Sequence, residues 1–191
     1  MNKLSKVISG ITSPYLVIPI FSIITIFHYA KSIQNFMLWS VILIVLTVLL
    51  PLGYVFLSVK RNKMTDLHVF MKEQRTVPFV IAIVGSILTL FIYLFMKVPS
   101  ALIAMTAALI INGAIFSVLS RYWKLSMHAA TFLSSLTIVS ILVSSIYWVL
   151  SPIIVLIIWA RMQRKRHTFW QLIIAGLLSP ILTYLVLKIF S

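Results

Sequence analysis

Cysteine is absent from the 191-residue chain, which removes disulfide frameworks, thiol nucleophiles and zinc–thiolate sites from consideration. Acidic side chains are almost as scarce. Asp66 and Glu73 are the only two, and they fall in one short stretch, so a metal site built from carboxylates is all but excluded. Whatever chemistry the chain performs must come from His, Ser, Lys, Arg and amide groups, and neither a metal nor a cofactor is expected. Charge of either sign makes up only 9% of the residues while 62% are hydrophobic, more apolar surface than one water-soluble core of this size can hide. The natural solvent is a bilayer.

Against the two acids stand 16 Lys and Arg, for a net charge of +14. In a soluble protein this would first suggest nucleic acid. Here the cations sit in short clusters between long apolar runs, the pattern of membrane loops that meet anionic headgroups or a phosphorylated ligand. No basic face interleaved with aromatics runs through a soluble domain, so nucleic acid is not expected as a partner.

A helix needs roughly 20 apolar residues to cross the hydrocarbon core. Runs of that kind lie near Pro14–Tyr29, Phe36–Leu57, Phe79–Phe95, Ser100–Leu119, Ala129–Tyr147, Leu150–Ala160 and Thr168–Ile189. The spacing predicts an all-α, polytopic bundle of six to seven transmembrane helices, with residues 1–191 forming one integral membrane domain. The sixth run is short and carries Pro152 near its start, which suits a tilted or buried segment better than a lipid-facing helix. Lys3 and Lys6 precede a first run that contains Pro14 and Pro19 and no small-residue cleavage site, so this run reads as a retained span. Gly85, Gly113, Ala129, Ala130 and Gly176 are the small residues that close helix packing in lipid uses.

Three loops hold most of the charge: Lys60–Arg75, Arg121–His128 and Arg161–His167. Two spans separate each from the next, so if all seven runs cross, these loops and the N-terminus share one side of the membrane. Thirteen of the 16 Lys and Arg lie there, with Lys31, Lys97 and Lys188 on the other side. The positive-inside rule then assigns the loops of this multi-pass cell-membrane protein to the cytoplasm.

Polar residues concentrate in these loops in informative patterns. In the third, Arg161 is followed after five residues by His167 at a helix start and then, four residues on, by Gln171. That spacing puts His167 and Gln171 on one helical face, where the amide can orient the imidazole. The second loop supplies Lys124, Ser126 and His128 within five residues at the mouth of another helix, and the first ends with Lys72 and Arg75 just before a span. His128 and His167 each begin a membrane helix inside a cation cluster of an otherwise apolar chain, which marks them as site residues. His28 reads instead as an interfacial residue, the Arg164–Lys165–Arg166 run as a headgroup anchor, and Trp123, Trp159 and Trp170 as an aromatic belt.

The order and spacing of these groups resembles the type 2 phosphatidic acid phosphatases, integral membrane enzymes that dephosphorylate lipid phosphates without a metal. That family shows a Lys, six residues and Arg-Pro; then Pro-Ser-Gly-His; then Ser-Arg, five residues, His, three residues, Asp. The second and third motifs match at Ser126 and His128 and at Arg161 and His167, and the apolar pattern is similar over most of the chain. The first is similar to a small bacterial branch with an Arg-Thr-x-Pro-Phe stretch, here Arg75 to Phe79. The chain departs from the pattern at Gln171 (family Asp), Ala160 (Ser), Met127 (Gly), Thr76 (Pro) and His68 (Lys).

The resemblance implies the phosphatase's helical fold, a phosphatidate, polyprenyl phosphate or polyprenyl diphosphate as substrate, and hydrolysis in two steps. His167 would be the nucleophile, forming a phosphohistidine, and His128 the acid for the departing group. Arg161, Arg75, Lys124, Lys72, Ser126 and His68 would hold the phosphate. A Gln at 171 orients a ring but cannot stabilise an imidazolium as Asp does, so a lipid-phosphate-binding or transport protein on the same fold is the alternative. A channel or carrier unrelated to phosphate is disfavoured, because no span interior carries a charge to mark an ion path.

Overall fold

A computed structural model describes residues 3–64 and 72–190, and within them every regular element is helical. The chain begins with α1 (Lys3–Ile11) and α2 (Pro14–Tyr29). The two are bent by 43° at the Thr12–Ser13 break. Pro14 causes the break, because a residue before proline is pushed out of the α region, and Ser13 is extended at φ −67°, ψ 148°. A continuous span of 28 residues, Ile33–Lys60, is then built from α3 (Ile33–Ile44), a π-helical turn (Val45–Leu49) and α4 (Leu50–Lys60). After a 3₁₀ turn over Lys72–Arg75 come α5 (Thr76–Phe95) and α6 (Ser100–Tyr122). The chain continues with α7 (Met127–Leu142), a 3₁₀ stretch (Ser145–Leu150), α8 (Ile153–Gln163) and α9 (Phe169–Phe190).

Among the described residues, five helices are long and apolar enough to cross a membrane, or six if the bent α1–α2 pair is one span. The short member is not the one expected from sequence. Leu150–Ala160 extends, through the 3₁₀ turn, into a 19-residue candidate span, Ser145–Gln163. The run expected to reach Tyr147 instead stops at Leu142, and Ser144 caps the following turn by accepting from the Ile146 amide at 3.4 Å. Helix α7 can afford its brevity because it is the inner helix, with 12 of its 16 residues buried. It lies between α2 and α9, while α5 runs along α6, α6 along α9, and α1 rests on α8.

Helix ends are closed without glycine. Asn62, Lys97 and Lys165 sit at φ 57°, 53° and 51°. Each occupies the left-handed position of a Schellman motif, with its own amide and the next one folded back onto the helix. After α8, for example, the Lys165 amide donates to the Met162 carbonyl at 2.8 Å and the Arg166 amide to the Arg161 carbonyl at 3.1 Å. This reversal returns the chain toward Arg161 and delivers His167 beside it.

Several buried hydroxyls are satisfied within their own helix, which suits an apolar solvent. Thr25, Thr47, Ser86, Thr89, Thr106 and Thr137 each donate to the carbonyl four residues earlier. Tyr93, fully buried, donates to the Trp39 carbonyl at 2.6 Å and ties α5 to α3. At Gly85 the α5 backbone lies directly against the π turn. A Cβ there would fall inside the shell of the Leu46 carbonyl oxygen and 2.7 Å from its carbon. The π turn has its own cause in Pro51, whose missing N–H cannot serve the helical carbonyls preceding it.

Candidate functional site

The site forms where the loop-side ends of α1, α2, α5, α7, α8 and α9 meet. The segments are tied together largely through backbone carbonyls. Arg75, at the start of α5, donates through Nη1 to the Leu125 carbonyl at 3.3 Å. The Ser126 amide donates to the Gln171 carbonyl at 3.3 Å, joining the α6–α7 loop to the head of α9. His128 Nε2 lies 3.1 Å from the Ser9 carbonyl of α1. A carbonyl only accepts, so Nε2 carries hydrogen.

His167 is fixed from both sides. Its Nδ1 is 3.0 Å from the Lys124 carbonyl and its Nε2 is 3.3 Å from Arg161 Nη2. Since the carbonyl can only accept and the guanidinium can only donate, both contacts hold together in one form of the ring: neutral, with hydrogen on Nδ1 and a lone pair on Nε2. Electrostatics agrees. Burial, followed by the positive charge of Arg161, lowers the His167 pKa to about 3, with Arg75 and Lys124 adding to the effect and the bond to the Lys124 carbonyl opposing it. The ring is therefore a neutral imidazole throughout the physiological range.

These residues open onto a cavity of about 190 Å³. Arg75, Arg161, His128 and His167 line its loop end. Its length is walled by apolar residues such as Ile18, Val48, Phe79, Ile83 and Phe116 from α2, the π turn, α5 and α6. Arg75 and Arg161 are only 7% and 4% exposed, so their charge acts across a weakly screened space.

The other expected residues stand differently. Ser126 is fully enclosed and its Oγ serves as N-cap of α7, accepting from the Ala129 amide at 3.5 Å. Lys124 contributes its carbonyl and its charge to His167 from outside the cavity wall. Gln171 does not orient His167. Its Oε1 accepts from the Thr168 amide at 3.0 Å while its own amide donates to Thr168 Oγ1 at 3.4 Å. This is a reciprocal capping box at the start of α9, and the orienting partner of His167 is the Lys124 carbonyl instead. His68 lies outside the described residues, as does the Lys72 side chain. Among the described residues there is no group of three or more His, Cys, Asp or Glu that could hold a metal ion.

Sequence reasoning missed α1. Ser5 and Ser9, four residues apart, form its buried face, while Leu4, Val7 and Ile11 point outward. That period was available as a signal; the backbone acceptors at Ser9, Lys124 and Leu125 leave none in side-chain identity. Comparison of the chain with family models, with curated proteins and with solved structures finds no match in any of the three.

Proposed function

We propose that the protein is a membrane lipid phosphate phosphatase of the type 2 phosphatidic acid phosphatase kind, cleaving a lipid phosphate or diphosphate through a phosphohistidine without a metal. The observation that carries this reading is a single cavity with two guanidiniums and two imidazoles at one end and an apolar wall along the rest. That division matches an amphiphile with an anionic head, and a buried neutral imidazole with its lone pair on Nε2 is chemically suited to attack phosphorus.

In this mechanism Arg75 and Arg161 hold the non-bridging phosphoryl oxygens, and Arg161 exchanges its contact with Nε2 for one with the phosphate. The Nε2 lone pair of His167 forms the N–P bond as the bond from phosphorus to the lipid oxygen breaks. Protonated His128 gives its Nδ1 proton to that leaving oxygen. Water then attacks phosphorus, His128 takes a proton from it, and the N–P bond breaks to release inorganic phosphate and the neutral ring. Throughout, the Lys124 carbonyl accepts from Nδ1–H and stabilises the positive charge that develops on His167 while the N–P bond exists.

One observation favours a second reading, a lipid-phosphate-binding or transport protein. A carbonyl dipole stands behind His167 where a carboxylate would supply a full charge, and replacing such a charge costs triad enzymes about 10⁴-fold in rate. The deciding experiment is phosphate release by detergent-purified protein from phosphatidate and undecaprenyl diphosphate in excess chelator. Wild type is compared with His167→Ala and His128→Ala. Release that survives chelation and disappears in both variants supports the phosphatase. No release, with lipid-phosphate binding intact and weakened by Arg161→Ala, supports the binding reading.

A further inference from the structure

Below the cationic end, the cavity wall carries a polar ladder that the mechanism above does not use. Asn112 of α6 and Ser134 of α7 line the cavity and are joined through Thr183 of α9. Asn112 Nδ2 donates both to the Ala108 carbonyl at 2.9 Å and to Thr183 Oγ1 at 3.0 Å. Thr183 Oγ1 donates to the Ser179 carbonyl at 2.8 Å, and Ser134 Oγ is 2.8 Å from Thr183 Oγ1. Ser179 in turn donates to the Ala130 carbonyl at 2.8 Å.

The hydrogens of this ladder can be placed. The Ala108 carbonyl fixes the orientation of the Asn112 amide, because only Nδ2 can donate to it. Thr183 has one hydrogen, and giving it to Ser179 leaves Ser134 as donor to Thr183, so that every hydroxyl and amide hydrogen of the ladder meets an acceptor within the protein. What remains in the cavity wall is acceptor capacity: the lone pairs of Ser134 and, above all, Asn112 Oδ1, which is buried within the wall and has no hydrogen-bond partner among the described residues. A buried carbonyl oxygen without a donor costs about 1–3 kcal/mol, a reason for such a group to belong to a site.

Depth fixes where a donor would have to sit. Ser134 follows His128 by six residues on one helix, about 9 Å along the axis at the helical rise, and Asn112 lies level with it through Thr183. A phosphate held at His128 and His167 therefore brings the first few chain atoms beyond its ester oxygen toward this ladder. We infer that Asn112, flanked by Ser134, is a specificity determinant that accepts a hydrogen bond from a hydroxyl or amide N–H carried by the lipid just below its phosphate. The inference rests on the lipid-phosphate reading of the cavity. It favours lipids with such a donor over diacyl and polyprenyl phosphates, which have none there and leave Asn112 Oδ1 desolvated.

The test compares lysophosphatidate with its 2-deoxy analogue, which differ by that single hydroxyl, in phosphate release and in competitive binding. Wild type should prefer the hydroxylated lipid by about tenfold, the scale of one hydrogen bond to a buried acceptor. In Asn112→Leu the ratio should fall toward one. Ser134→Ala keeps both Asn112 donations and should reduce the ratio only in part, which guards against a folding defect in the first variant. Equal use of the two lipids by wild type, or a ratio unmoved by Asn112→Leu in folded protein, overturns the inference. A phosphate-free pair, monoacylglycerol and its deoxy analogue compared by thermal stabilisation, separates the two levels. Preference for the hydroxyl there, with no phosphate recognised in either assay, would sink the phosphatase reading and leave the Asn112 site standing. Equal use of lysophosphatidate and its 2-deoxy analogue alongside efficient phosphate release would do the reverse.

Discussion

Acidification should destabilise this protein through His167 in particular. The unfolded chain takes a proton on this ring near pH 6.5 and the folded site only near 3. Between those values the unfolded state binds the additional proton, so stability is lost as pH falls, by about 1.4 kcal/mol per pH unit once the medium is well below 6.5. From neutrality to about pH 4 the loss is about 3 kcal/mol, or roughly 6–12 °C in Tm for a chain of this length. The assay is thermal unfolding in detergent across that range for wild type and His167→Gln, whose side chain does not titrate. Wild type should lose Tm steeply while the variant loses only what other groups impose. Arg161→Gln removes the second-largest cause of the depressed pKa and should shrink the acid loss. Parallel curves for wild type and His167→Gln would refute the claim that burial and Arg161 hold the ring neutral.

Three further outcomes follow from the fold. Gly85→Ala forces α5 away from the Leu46 carbonyl, backbone against backbone, and should cost about 1–3 kcal/mol in thermal unfolding. Gln171→Ala removes half of the α9 capping box and should cost about 1 kcal/mol, whereas Gln171→Glu, also suited to that box, should retain most of it. Lys97→Gly relieves a side chain held at φ 53° and should raise stability by about 1 kcal/mol, measured as a shift in Tm.

Much of the architecture was readable because lipid imposes a length and a composition on every crossing. The runs before Tyr29, Phe95 and Tyr122 and the final run all emerge as helices near their expected bounds. The fifth run stops short of Tyr147, at Leu142, as a mostly enclosed helix, and hydropathy cannot tell an enclosed helix from an exposed one. Helix ends after Lys60 and Gln163 were blurred for a related reason: Asn62 and Lys165 fill left-handed positions where a reader of sequence looks for glycine. At the site, the charged and imidazole groups announced themselves against an apolar background. Gln171 misled, since a spacing of four suits both a partner for His167 and the N3 place of a cap begun by Thr168, and only geometry separates the two. Asn112 gave no sign, being one amide in a long apolar helix whose meaning depends on Thr183 and Ser134 far away in sequence.

The reliance of both histidines on carbonyls from distant segments has a consequence for biosynthesis. Ser9 from the first helix orients His128, and Lys124 orients a ring that the chain supplies only at residue 167. A chain emerging into the bilayer thus carries cations and hydroxyls but no set imidazole until its last two helices are in place and α1 has settled on α8. Partly inserted chains would leave the rings unset, and any modification that holds α1 away from α8 would release His128 from the Ser9 carbonyl without touching a single side chain at the site.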